Sequence, residues 1–104
     1  VLTHLRLQDR LRPRWVYGEN IAQAYQFVDS ENAPLGFVAL SQVWQDGQLR
    51  QGSMWLVPQS LYTPLRQDAV LLEPGHQHSA ALALLAFMRS AQVREILQGY
   101  GYGF

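Results

Sequence analysis

Apolar positions in this chain follow two rhythms, one helical and one of strand length. Ile21, Ala24, Tyr25 and Val28 fall at i, i+3, i+4 and i+7, the spacing that lays a single apolar stripe along a helix. Asn20 just ahead of the stripe is a favourable N-cap, and Gln23 three residues later completes a capping-box pattern. A helix is therefore expected to open at Ile21 and stop near Asp29 and Ser30, with a turn from Asn32 to Pro34. Leu35 to Leu40 carries the second rhythm, a continuous apolar run without alternation, as in a parallel strand covered on both faces. Trp15 to Tyr17 predicts a short strand ending at Gly18. Strand, helix and strand then make a βαβ unit with a right-handed crossover.

The remaining elements are read the same way. Leu2 and Leu5 suggest a helix tail closed before Pro13, and Asp46-Gly47 signals a turn. Ser53 to Val57 and Gln67 to Leu72 read as two further strands, the latter closed by Pro74-Gly75. Two helices end the chain, Ser79 to Arg89 and then a second through Leu97, with Ser90 as its N-cap and Gly99 as its stop. Ala80 to Met88 is apolar nearly all round, so that helix must be covered on more than one side. The fold class expected is α/β, with βαβ units and a mixed or parallel sheet flanked by helices.

At 104 residues the chain suits one domain with a modest core and is too short for two. With 48% hydrophobic and 15% charged residues it reads as globular rather than disordered. Eight acidic and eight basic residues cancel, so no overall field draws it to nucleic acid or anionic lipid. Arg6, Arg10, Arg12 and Arg14 cluster, but Asp9 and Leu11 interrupt them, as on an ordinary solvated face. The absence of cysteine excludes disulfides and thiolate chemistry. The run from Ala80 to Met88 is about half the length needed to cross a bilayer. Val1 reads as the middle of a helix, which predicts an N-terminal portion ahead of it.

One place offers a niche for a ligand. The turn Gly18-Glu19-Asn20 leads from a predicted strand into a helix N-terminus, where the first amides lack carbonyl partners and the helix contributes about half a positive charge. Asn20 is expected to satisfy the amides near Ala22 or Gln23, leaving the Ile21 N–H as an outward donor for an anion. Neutral donors of this kind can hold an ionised tetrahedral oxyanion without lysine or arginine. Other constellations are poorer. Glu73, His76 and His78 lack a third ligand at a convincing spacing, so no metal site is assigned. His4 reads as a surface residue. A nucleophile elbow and a glycine-rich phosphate loop are both absent, and the closing Gly99 to Phe104 stretch has no helix after it. No catalytic residue is proposed and the chain is not read as an enzyme. Trp15, Trp44 and Trp55 lie in or beside predicted strands and are read as packing residues.

The stretch GENIAQAYQFVDSENAPLGFVALSQV, then WLVPQSLYTPLRQDAVLL and the ending LQGYGYGF, resembles the second half of the periplasmic molybdate-binding protein (ModA) family. The resemblance runs from about Leu2 to Phe104 in one order without large gaps. It implies part of a type II periplasmic binding protein, whose two lobes close on a ligand like a hinged clamp. The N-terminal lobe is then missing from these residues. It also implies a periplasmic location, molybdate or tungstate as the ligand, no resident cofactor, and delivery to the membrane permease of an ABC importer. Residues 1–72 would belong to the second lobe, and 73–104 would be C-terminal helices that pack with the first.

In that family an amide at the start of the helix after the GEN-type turn binds the anion, which carries over to Ile21, flanked by Asn20 and Ala22. Some members place a ligand tyrosine in the strand matching LGFVALSQ; the position here is Ala39, which has no hydroxyl. With one ligand contact of several, the 104 residues alone are expected to show negligible molybdate affinity. Their uncovered helix faces would favour a homo-oligomer or exchange of elements between copies. The alternative is a ligand-sensing effector domain of a transcription regulator with the same two-lobed fold. A helix-turn-helix upstream would favour it, and a signal peptide would defeat it.

Overall fold

The helices form where local sequence closes both of their ends. In the computed structural model, which describes residues 1–104, α1 spans Gln8–Leu11 and runs into a 3₁₀ turn at Arg12–Arg14. α1 closes before Pro13, which sits in the first turn of the 3₁₀ segment, as its fixed φ and missing N–H allow. α2 is Ile21–Asp29. Its apolar stripe is half-buried at Ala24, Tyr25, Phe27 and Val28. The helix ends at Ser30, where Glu31 turns to φ 60° and the Ala33 amide donates back to the Phe27 carbonyl at 2.7 Å.

After α3, Leu40–Val43, comes a two-stranded antiparallel hairpin: β1, Trp44–Gln45, and β2, Gln48–Leu49. Trp44 lies opposite Leu49, and Gln45 opposite Gln48. The turn between them is Asp46-Gly47, with φ 52° and 79°. Two consecutive positive φ values match the twist of a two-residue hairpin, and an Asp-Gly pair tolerates them. The chain closes with α4, Ser79–Met88, and α5, Ala91–Gly99, which touch each other. α5 reaches Gly99 itself. The left-handed residue that stops it is Gly101, at φ 82°.

Four expected strands do not form. Trp15 to Tyr17, Leu35 to Ala39, Ser53 to Val57 and Gln67 to Leu72 carry no ladder, so there is no βαβ unit, no parallel sheet and no crossover. A strand is completed by a neighbour's backbone, and these segments have none alongside. From Thr63 to Glu73 no amide donates to the backbone at all. The apolar run at Leu35 to Leu40, read as doubly covered, leaves Leu35 84% exposed and ends by opening α3.

Helix pairs and one hairpin are thus joined by long extended segments, and no residue is fully buried. The radius of gyration is 17.7 Å, against about 13 Å for a compact domain of this length. No helix is long and apolar enough to cross a membrane.

Candidate oxyanion site at the start of α2

The start of α2 is fixed from both sides of its first turn. Asn20 is extended, at φ −152° and ψ 171°, and its Oδ1 accepts from the Gln23 amide at 2.9 Å. The Gln23 side chain returns the bond, its Oε1 accepting from the Glu19 amide at 2.6 Å. In the usual capping box the returning side chain meets the N-cap's own amide; here it reaches one residue further back. The Ala24 amide then makes the first helical bond, to the Asn20 carbonyl at 3.1 Å. Gly18 lies tight against this turn. A Cβ there would stand 2.6 Å from the Ala24 nitrogen and 2.9 Å from the Asn20 oxygen, both backbone atoms.

With Gln23 and Ala24 paired, the amides of Ile21 and Ala22 have no protein acceptor. Asn20 satisfies Gln23 alone, so the free pair is one amide larger than the sequence implied.

Ile21, 54% exposed, forms one wall of an open groove of about 530 Å³. Phe37, Val38 and Leu65 supply apolar surface. Ala39, Ser41, Gln42, Gln67 and Tyr102 complete the lining, which contains no charged side chain. Neither Asn20 nor Ala22 reaches the groove wall.

Two side chains assemble this wall from distant parts of the chain. Gln42 Nε2 donates to the Ile21 carbonyl at 3.2 Å, while its Oε1 accepts from the Ala39 amide at 3.1 Å. One amide side chain therefore ties the first residue of α2 to the first turn of α3. At the far end the Tyr102 hydroxyl donates to Ser41 Oγ at 3.4 Å. Tyr102 is held there because its amide bonds the Leu97 carbonyl at 3.0 Å and Gly101 turns against Leu40, where a Cβ would come within 2.6 Å of Cδ2. Residues after 72 thus close on residues before it.

Sequence reasoning singled out neither Gln42 nor Tyr102. The available signals were an amide three residues into the short helix at Leu40 and a tyrosine one residue after a stop glycine, and both are commonplace.

Elsewhere, His76 Nδ1 donates to the Glu73 carbonyl at 2.7 Å, closing a 3₁₀ turn at Glu73–Gly75. Trp15 meets Tyr17 edge-on at 5.9 Å, local packing in place of a strand. At the far end of α2, the Tyr25 hydroxyl donates to Asp29 Oδ1 at 3.1 Å. That bond is the main reason its pKa is raised above the ordinary 10.0.

The start of α2 thus has two free amides, and its first residue, Ile21, lines an uncharged and largely apolar groove. Residues 1–103 match the bacterial extracellular solute-binding protein family, and the chain belongs to it. Among its relatives, the molybdate-binding protein ModA of Azotobacter vinelandii is 50% identical over 103 residues, which are 99% of this chain and 41% of that protein. ModA of Rhodobacter capsulatus is 47% identical over 98% of this chain and 39% of its own length. The chain spans about two fifths of the length of the curated relatives it matches.

Proposed function

We propose that these 104 residues form part of a receptor for a tetrahedral oxyanion, molybdate or tungstate, in the periplasm, and that the Ile21 amide is one of its ligand donors. The receptor would hand the anion to the membrane permease of an ABC importer. The observation that carries the reading is identity of about one residue in two with molybdate-binding proteins across nearly the whole chain. Ile21, whose amide has no protein acceptor, lines an uncharged groove, and this supports it. Hydrogen-bond donors without net charge suit an anion that must be released as well as bound, since a buried counter-charge would deepen the well. The role is binding, without catalysis and without a resident cofactor.

The two-lobed fold belongs to the same proposal. Residues 1–72 would contribute to the second lobe and 73–104 would pack with the first. In that setting the extended segments at Trp15, Leu35, Ser53 and Gln67 would find the neighbouring strands they lack here. Since most donors would lie outside these residues, calorimetry of the 104-residue chain with molybdate should give no measurable heat. The direct test replaces the matched part of the Azotobacter vinelandii relative with this sequence and titrates the hybrid with molybdate and tungstate. Saturable binding is expected; a folded hybrid that takes up neither anion would defeat the assignment.

A further inference from the structure

Gln42 holds the start of α2 from outside the helix. Its backbone amide donates to the Ala39 carbonyl at 3.0 Å, and its side-chain Oε1 accepts from the Ala39 amide at 3.1 Å. That double grip on Ala39 fixes the carboxamide within the first turn of α3. Its Nε2 is then left to donate to the Ile21 carbonyl, 21 positions back, at 3.2 Å. Only one orientation of the amide serves both partners, since Ala39 presents a donor and Ile21 an acceptor. A helical carbonyl has two lone pairs and the helix ladder uses one, so the extra bond takes nothing from α2.

We propose that Gln42 is a positioning residue of the oxyanion site, acting on the anion through the Ile21 amide. The inference rests on the reading of that amide as a ligand donor. Two peptide planes meet at Ile21. The plane carrying its N–H is held by the Ala24 amide, which donates to the Asn20 carbonyl at 3.1 Å. The plane that follows is held by Gln42 through the Ile21 carbonyl. With both planes pinned, the direction of the Ile21 N–H is set before an anion arrives, and less freedom is lost on binding. The same bond spans the groove lining, to which Ile21, Ala39 and Gln42 all contribute. Residue type matters here. Methionine has the length and neither bond, while an ionised glutamate would set an acceptor against the Ile21 carbonyl and bring a negative charge to a groove that has no charged side chain. Both partners fall within residues 1–72, assigned above to one lobe, so the bond does not depend on how the lobes meet.

The hybrid receptor described above, titrated with molybdate by calorimetry, tests this. Gln42→Met should weaken binding about tenfold. Gln42→Glu should lose at least as much at about pH 8 and return toward the parent at about pH 5, because its carboxyl, raised above the ordinary value of about 4.3 by the nearby carbonyl and anion, regains a proton. The neutral acid reproduces the amide, its O–H donating to Ile21 and its carbonyl accepting from Ala39. Affinities are read as ratios to the parent at each pH, which cancels the anion's own protonation. Gln51→Met is the matched control. Gln51 Nε2 likewise donates across the chain, to Asp29 Oδ1 at 2.6 Å, but at the far end of α2, and its loss should leave affinity within about twofold. Should Gln42→Met fail to fold by circular dichroism, the pH series on Gln42→Glu decides alone. A parent that binds while Gln42→Met binds equally well overturns the positioning role and leaves the ligand assignment standing. So does a Gln42→Glu loss that is the same at both pH values, or an equal loss from Gln51→Met. A folded parent that binds neither molybdate nor tungstate overturns both.

Discussion

α2 and α5 are two nine-residue helices opened in the same manner, and the groove that Ile21 lines lies at the start of the first. Asn20 accepts from Gln23 at 2.9 Å and Ser90 accepts from Val93 at 3.4 Å, each a short polar side chain bonding the amide three residues on. Both helices carry the same end dipole and leave two amides without acceptors. The difference lies outside the helices. Gly18 packs against the first turn of α2 and Gln42 braces it from α3, whereas the start of α5 follows directly on Arg89 at the end of α4. A capped helix start is thus common equipment, and its surroundings decide whether a ligand can approach.

Proline at the first helical position separates the two most sharply. It removes one amide while fitting both the helix and the extended residue before it, at Asn20 and at Ser90 alike. In the hybrid receptor, Ile21→Pro should weaken oxyanion binding by about 1.5–3 kcal/mol, roughly tenfold to over a hundredfold in Kd, with helicity retained. Ala91→Pro should leave the calorimetric titration unchanged. Equal losses from both substitutions would mean that the α2 start has no special part in binding.

Next in size is Gly18→Ala. Its methyl group meets backbone that cannot swing aside, so a loss of about 1–3 kcal/mol is expected in urea denaturation of the hybrid. Gly103→Ala, which has open space around it, should fall within about 0.5 kcal/mol of the parent. Asn20→Ala should cost about 1 kcal/mol and Ser90→Ala, with its longer bond, less. The reverse order would place the firmer cap on α5.

The smallest effect is a titration at the other end of α2. Because the Asp29 carboxylate accepts a hydrogen bond from the protonated phenol, the Tyr25 pKa is raised above 10.0, and the bond's contribution is fully present below that pH. It is lost as pH rises from 10 through the higher folded value. Asp29→Asn should bring the Tyr25 titration, followed by the ring carbon NMR shift, back toward 10.0. An unmoved midpoint would show that another group sets it.

What could be read in the sequence was what each segment settles by itself. The stripe at Ile21 to Val28, the caps Asn20 and Ser90, the Asp46-Gly47 turn and the break between α4 and α5 all depend on neighbours within a few residues. The parallel strands depended on partners that Leu35 to Ala39 and Gln67 to Leu72 do not meet, so the α/β layering did not appear. An apolar run specifies that it wants cover, but not from where. The groove was half legible. The unpaired Ile21 amide follows from helix geometry, while Ser41 and Tyr102, 61 positions apart, meet only because the tail folds back past Gly101.

That returning tail has a practical corollary for anyone handling the protein. Tyr102 forms part of the groove wall, and Phe104 lies two residues beyond it. A purification handle or fluorescent label joined after Phe104 starts two residues from that wall, so its linker should be long enough to clear it.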